Sequence, residues 1–173
     1  MVLTIFWIRV VASLLLKAES EGRHFSVVVL EGRPYTSGSK AAKVYADSSI
    51  PTTVILDSVV GCLMERADMV VVGSERVVDN RGIVNNMGTY AMGVAVRYLG
   101  NPFYVAANSY NFARLFPLNQ SDLTEMGPEA GLRFVDTKIW EVTGVVVVTR
   151  PLINYWVLLC ELRVLNLGGE RNY

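Results

Sequence analysis

The sequence predicts a doubly wound α/β domain, a mostly parallel sheet with helices on both faces. Three observations lead there. The chain has 173 residues, 51% of them apolar and only 18% charged, enough for one domain with a real core. Short apolar runs alternate with longer helical stretches, as βαβ units do. These runs are rich in Val and Ile without polar alternation, which marks strands covered on both faces.

In chain order, MVLTIFWIRVVASLLLK opens the sequence and predicts a helix over residues 5–21. Arg9 interrupts its apolar run and no small-residue cleavage site follows, which argues against a secretory signal. A membrane span would need about 18 unbroken apolar residues, so the segment reads as a core-packed helix of a soluble domain. Strands follow at Phe25–Leu30, Thr53–Leu56, Met69–Val72 and Phe103–Ala106. Helices are expected over 38–48, 57–66, 88–99 and, shorter, 109–114. Gly88 and Thr89 start the helix over 88–99, and Gly100 stops it. After Pro117 the alternation fails, and 119–143 reads as a long polar loop. A strand at Gly144–Thr149 and a helix opened by Pro151 through LINYWVLLCELRVL close the pattern, with a tail from Asn166. Tyr155 and Trp156, at helical spacing, read as core or interface residues, and no internal repeat is found.

Composition excludes several classes of function. Lys+Arg 16 balances Asp+Glu 16, so no basic groove for direct nucleic-acid binding is expected. The only histidine, His24, rules out a multi-histidine metal site. Cys62 and Cys160 form no CxxC or Cys/His cluster and read as buried free thiols in a reducing, cytoplasmic compartment. With no GxGxxG, Walker A or GxSxG pattern, no cofactor is expected. A histidine-dependent triad would need His24 at the start of a strand, the wrong end of the sheet.

In an open parallel sheet, ligands bind beyond the carboxyl ends of the strands. After the first predicted strand come Glu31, Gly32, Arg33, then Ser37 and Gly38 at a helix entry. After the third come Glu75, then Asn85, Asn86, Gly88 and Thr89 leading into another helix. Two helix N-termini in one crevice offer free N–H groups to a phosphate; Arg33 could clamp it, and Glu75 could accept hydrogen bonds from hydroxyls. The plainer alternative is equally open: the glycines only let the backbone turn, and Glu31 and Arg33 form an ordinary loop ion pair.

These loops carry a resemblance. Ala67 to Leu123, with its VVGSE, NNMGT and FARLFPLNQ blocks, closely resembles the alpha subunits of eukaryotic translation initiation factor 2B. Ile8 to Val11, Phe25 to Gly38 and Thr52 to Asp68 follow in the same order, so the likeness covers about residues 2–123, with a weaker echo near TRPLINYWVLLCELRVL. FARLFPLNQ is similar to the alpha subunit rather than to its beta and delta relatives or to the sugar-phosphate isomerases of the same fold. The resemblance implies a single Rossmann-like C-terminal domain over 1–173, without the family's helical N-terminal domain.

It also implies a regulatory, non-catalytic subunit of the guanine nucleotide exchange factor for initiation factor 2. The implied partners are a second copy, the other subunits of the complex, and initiation factor 2 with its phosphorylated alpha subunit. A sugar-phosphate-type pocket is implied at Glu31, Arg33, Ser37, Gly38, Glu75, Asn85, Asn86, Gly88 and Thr89, with no membrane contact. In the related isomerases of methylthioribose 1-phosphate and ribose 1,5-bisphosphate, an upstream cysteine and an aspartate act on the sugar. The cysteine has no match here, and Glu75 holds the aspartate's place with one more methylene. Asn86 stands where the family carries a lysine, removing a positive charge beside the expected phosphate. An aldose-ketose isomerase of a phosphorylated pentose remains the alternative reading.

Overall fold

The structure, a computed structural model, describes residues 1–118 except Pro34, Arg81 and Met87, together with the backbone of 155–158 and 163–166. Its elements in order begin with β1 (Val2–Ile5), α1 (Arg9–Ser20), β2 (Val27–Leu30), α2 (Gly38–Asp47) and β3 (Thr52–Ile55). A 3-10 turn (Asp57–Val59) leads into α3 (Val60–Met64), then β4 (Met69–Gly73), β5 (Arg76–Val78), β6 (Gly82–Asn85) and α4 (Thr89–Leu99). β7 (Phe103–Ala107), a second 3-10 turn (Ser109–Asn111), β8 (Phe112–Ala113), β9 (Tyr155–Leu158) and β10 (Arg163–Asn166) follow.

The main sheet has the order β10-β7-β4-β1-β2-β3, and every pairing in it is parallel. The predicted doubly wound α/β class therefore holds. Strand order reverses at β1: β2 and β3 extend to one side, β4 and β7 to the other. Helices cover both faces. One core layer packs Val11, Leu15, Ala41 and Tyr45 from α1 and α2 under Val27, Val29 and Val71. The other packs Met64, Met92 and Val96 from α3 and α4 against Leu3, Ile5, Val70, Val72 and Val105. Each fully buried aliphatic side chain contributes about 1.5–3 kcal/mol, so the two layers hold the strand ends in place.

A smaller sheet, β8-β5-β6-β9, stands beside the first. β5 and β6 form an antiparallel hairpin inserted between β4 and α4, pairing Arg76 with Val84 and Val77 with Ile83.

Several sequence expectations are corrected. Residues 2–5 are not the approach to a helix but a central strand; VLTI is fully buried, and β1 pairs with both β2 and β4. An apolar run with neighbours on both sides gains a hydrogen-bond ladder that a helix at that place would forgo. The helix accordingly begins at Arg9. The stretch between Glu75 and Asn85 was expected as loop and holds the β5–β6 hairpin. The short helix over 109–114 is a 3-10 turn followed by β8, since pairing with β5 draws Phe112–Ala113 into a sheet.

The helix expected from Pro151 is overturned at Tyr155–Leu158 and Arg163–Asn166, which are strands beside β6 and β7. Open sheet edges offered the backbone partners that sequence spacing does not show, and Tyr155 and Trp156 lie on a strand instead of at helical spacing. β3 is an edge strand with Thr53 and Val54 exposed, not covered on both faces. Cys62 is exposed rather than in the core. The 119–143 loop, the Gly144–Thr149 strand, Cys160 and the tail beyond Asn166 lie outside the described residues.

Candidate functional site

The carboxyl ends of β2, β1 and β4 lie side by side, where the strand order turns back. Three loops converge there, since neighbouring strands run only about 5 Å apart.

The loop after β2 is held from within. The backbone N–H groups of Gly32 and Arg33 donate to the two carboxylate oxygens of Asp57, at 2.8 and 2.7 Å. Asp57 opens the turn after β3 and so clamps the neighbouring loop like an internal anion. Arg33 Nε donates to Glu31 Oε2 at 2.9 Å, with the guanidinium largely exposed. The ordinary ion pair is therefore formed. Gly38 N–H donates to the Glu31 carbonyl at 3.0 Å, bringing α2 tightly onto the end of β2. A Cβ at Gly38 would lie 2.1 Å from the Leu30 carbonyl oxygen, so only glycine fits. The Ser37 hydroxyl accepts from Trp7 N–H at 3.1 Å, tying this loop to the one after β1. Lys40 sits 5.4 Å above the Trp7 ring, a cation–π contact on the same side.

The loop after β4 carries Ser74 and Glu75. Ser74 Oγ is buried with no hydrogen-bond partner among the described residues. Glu75 N–H donates to the Val84 carbonyl at 3.0 Å, and Asn111 Nδ2 donates to the Glu75 carbonyl at 2.9 Å. Much of Glu75 faces solvent, yet what burial its carboxyl has raises its pKa above the usual glutamate value, partly opposed by the positive charge of Arg76.

At the end of β6, Asn85 Nδ2 donates to the Gly73 carbonyl at 3.0 Å and to Thr89 Oγ1 at 3.1 Å. Asn85 and Thr89 are 1% and 0% exposed, so these two expected ligand residues act as a buried brace between β4, β6 and α4. Gly88, with φ 100°, makes the turn into α4 and is partly exposed beside Asn86.

The structure thus joins Glu31, Arg33, Ser37 and Gly38 in one loop, and Glu75, Asn85, Asn86, Gly88 and Thr89 around a second. Sequence reading missed Phe6, Trp7 and Ile8 after β1, which lie between them, and Asp57 after β3, which holds the β2 loop from its outer side. The rule that ligands meet the residues following each strand would have found Asp57, which directly follows a predicted strand. The β1 loop stayed hidden because β1 read as the approach to the helix expected over 5–21, which took in Phe6, Trp7 and Ile8. Among the described residues no group of three His, Cys, Asp or Glu could hold a metal ion, and no helix is long and apolar enough to cross a membrane.

Comparison with known proteins shows what this chain is similar to. The pattern of the Initiation factor 2 subunit family matches residues 1–159. The chain is 45% identical over 118 residues to translation initiation factor eIF2B subunit alpha of Dictyostelium discoideum, an alignment spanning 68% of this chain and 37% of that protein. It is 31% identical over 127 residues to ribose 1,5-bisphosphate isomerase of Archaeoglobus fulgidus, spanning 70% of this chain and 41% of the isomerase. Among solved structures, the tetrameric eIF2B-beta2-delta2 complex from C. thermophilum matches with a TM-score of 0.63 and 28% identity, over 67% of this chain and 38% of that one. The chain spans well under half the length of these relatives. With the family match running through all of these strand ends and their loops, the chain belongs to the initiation factor 2 subunit family.

Proposed function

We propose that this chain is the Rossmann-like C-terminal part of an alpha-type subunit. It acts as a regulatory, non-catalytic component of the cytoplasmic guanine nucleotide exchange factor for translation initiation factor 2. The observation that carries this reading is the likeness to the alpha subunit, which runs through the crevice loops and the FARLFPLNQ segment. In this reading the chain pairs with a second copy, docks the other subunits of the complex and helps it sense the phosphorylated alpha subunit of initiation factor 2. The crevice is kept as a sugar-phosphate-type hollow that steadies the fold when filled, instead of turning substrate over. Glu75 supports the loss of turnover: its carboxylate stands one methylene further out than the isomerases' aspartate, and proton transfer tolerates little misplacement.

Pull-down with the remaining exchange-factor subunits tests the assignment. Retention of the chain in a stoichiometric complex is the expected result, and its absence would defeat the reading. The isomerase relative makes the enzyme the second reading. Incubation with ribose 1,5-bisphosphate or methylthioribose 1-phosphate is expected to give no ketose; steady product formation would establish the enzyme instead.

A further inference from the structure

Phe6 lies immediately after β1, where the strand order reverses. Its backbone is left-handed, with φ 63°, a conformation that a bulky aromatic residue adopts only when its surroundings impose it. The side chain is 2% exposed. A Cβ built on Gly32 would stand 2.4 Å from Phe6 Cδ1 and 2.7 Å from Cε1, and one on Gly88 would stand 3.9 Å from Phe6 Cζ. The ring therefore reaches from the loop after β2 to the N-terminus of α4. Ile5 Cδ1, 2.8 Å from the same Gly88 position, and Ile8, packed against Gly73, extend the apolar floor.

These are the two loops whose N–H groups a phosphate would have to share, and a hydrocarbon ring already stands between them. On the β2 side, the N–H groups of Gly32 and Arg33 are also occupied by Asp57. An anion entering here would surrender its water to an apolar floor without gaining the Gly32 and Arg33 N–H groups in return.

We propose that Phe6 determines the specificity of this crevice: its ring shuts a phosphoryl group out of the inner end. A sugar phosphate is then held only at the rim formed by Ser74, Glu75 and Asn86, and weakly. The inference rests on reading the crevice as a sugar-phosphate hollow. Because glycine adopts positive φ freely, Phe6→Gly would remove the ring and the backbone strain together.

The test is calorimetric titration of the whole chain with ribose 5-phosphate and, separately, neutral ribose. It uses wild type, Phe6→Gly and Phe6→Leu, with circular dichroism to confirm folding. Phe6→Gly is expected to bind ribose 5-phosphate at least about tenfold more tightly than wild type, a difference of about 1.4 kcal/mol, with no comparable gain for ribose. Equal affinity of wild type and Phe6→Gly for ribose 5-phosphate, including no binding by either, would overturn the proposal. So would an equal gain for ribose. Should Phe6→Gly not fold, Phe6→Leu decides the matter, because its shorter side chain cannot span from Gly32 to Gly88: a few-fold gain for the phosphate supports the ring's role, and none overturns it. Pull-down of the exchange-factor subunits is read on the same proteins. An unchanged titration with assembly intact defeats only the role of Phe6, whereas loss of assembly by wild type defeats the functional assignment.

Discussion

At the residue scale, single atoms decide whether the loops reach their places. The 2.1 Å that would separate a Gly38 Cβ from the Leu30 carbonyl is far below van der Waals contact, and the obstacle is backbone that cannot swing away. Gly38→Ala is expected to lower stability by about 3 kcal/mol, read from urea midpoints, because α2 must lift off the end of β2. Glu75 gives a pH signature. Its folded pKa is raised above the usual 4.5 by burial, so the folded state holds this proton more tightly than the unfolded chain does. Its contribution to stability therefore grows as pH falls through the raised folded value, and levels off below the unfolded one. Glu75→Gln is expected to flatten that segment of the stability profile in denaturation series between about pH 7 and pH 4, leaving the rest unchanged.

At the element scale, Asn85 links three pieces of chain: its amide bonds the end of β4 and the first residue of α4 while its backbone belongs to β6. Removing it strands a buried carbonyl at Gly73 and a buried hydroxyl at Thr89. Asn85→Ala is expected to lower stability by about 2 kcal/mol and to speed amide exchange in β5 and β6 relative to β1 and β2. The same elements show what local pattern can and cannot tell. β2, β4, β7 and α4 were legible because each carries its own signal, a Val-rich run or a Gly-bounded helix. β1 was not, since Val2–Ile5 runs straight into the apolar face of α1. Its strand character comes from β2 and β4, far away in sequence. β5, β6 and β8 are too short to carry a period, and each exists through its partner.

At the scale of the whole molecule, α4 presents Tyr90, Val94 and Tyr98 on one outer stripe, 50%, 52% and 89% exposed. An apolar stripe of this kind favours cover by another protein surface. The homodimer proposed above is expected to give about twice the 19.1 kDa chain mass in size-exclusion chromatography with light scattering. Val94→Asp is expected to shift that mass toward the monomer at micromolar concentration. A wild-type chain eluting as a clean monomer would remove the dimer from the proposed function.

The sequence by itself determined the α/β class, most of the parallel strands, the start and stop of α4 and the polar residues of the loops that follow β2 and β4. These follow from near neighbours: apolar runs, glycines at turns and polar residues just past each strand. Only the tertiary structure decided what holds the β2 loop and what stands between the two loops. Asp57 reaches Gly32 and Arg33 from the end of β3, and the Phe6 ring meets Gly32 and Gly88, residues distant along the chain. Hydrogen bonding and packing act through space, so the polar character of each loop was written locally, whereas the occupation of its donors and of the gap was set only when four strand ends came together.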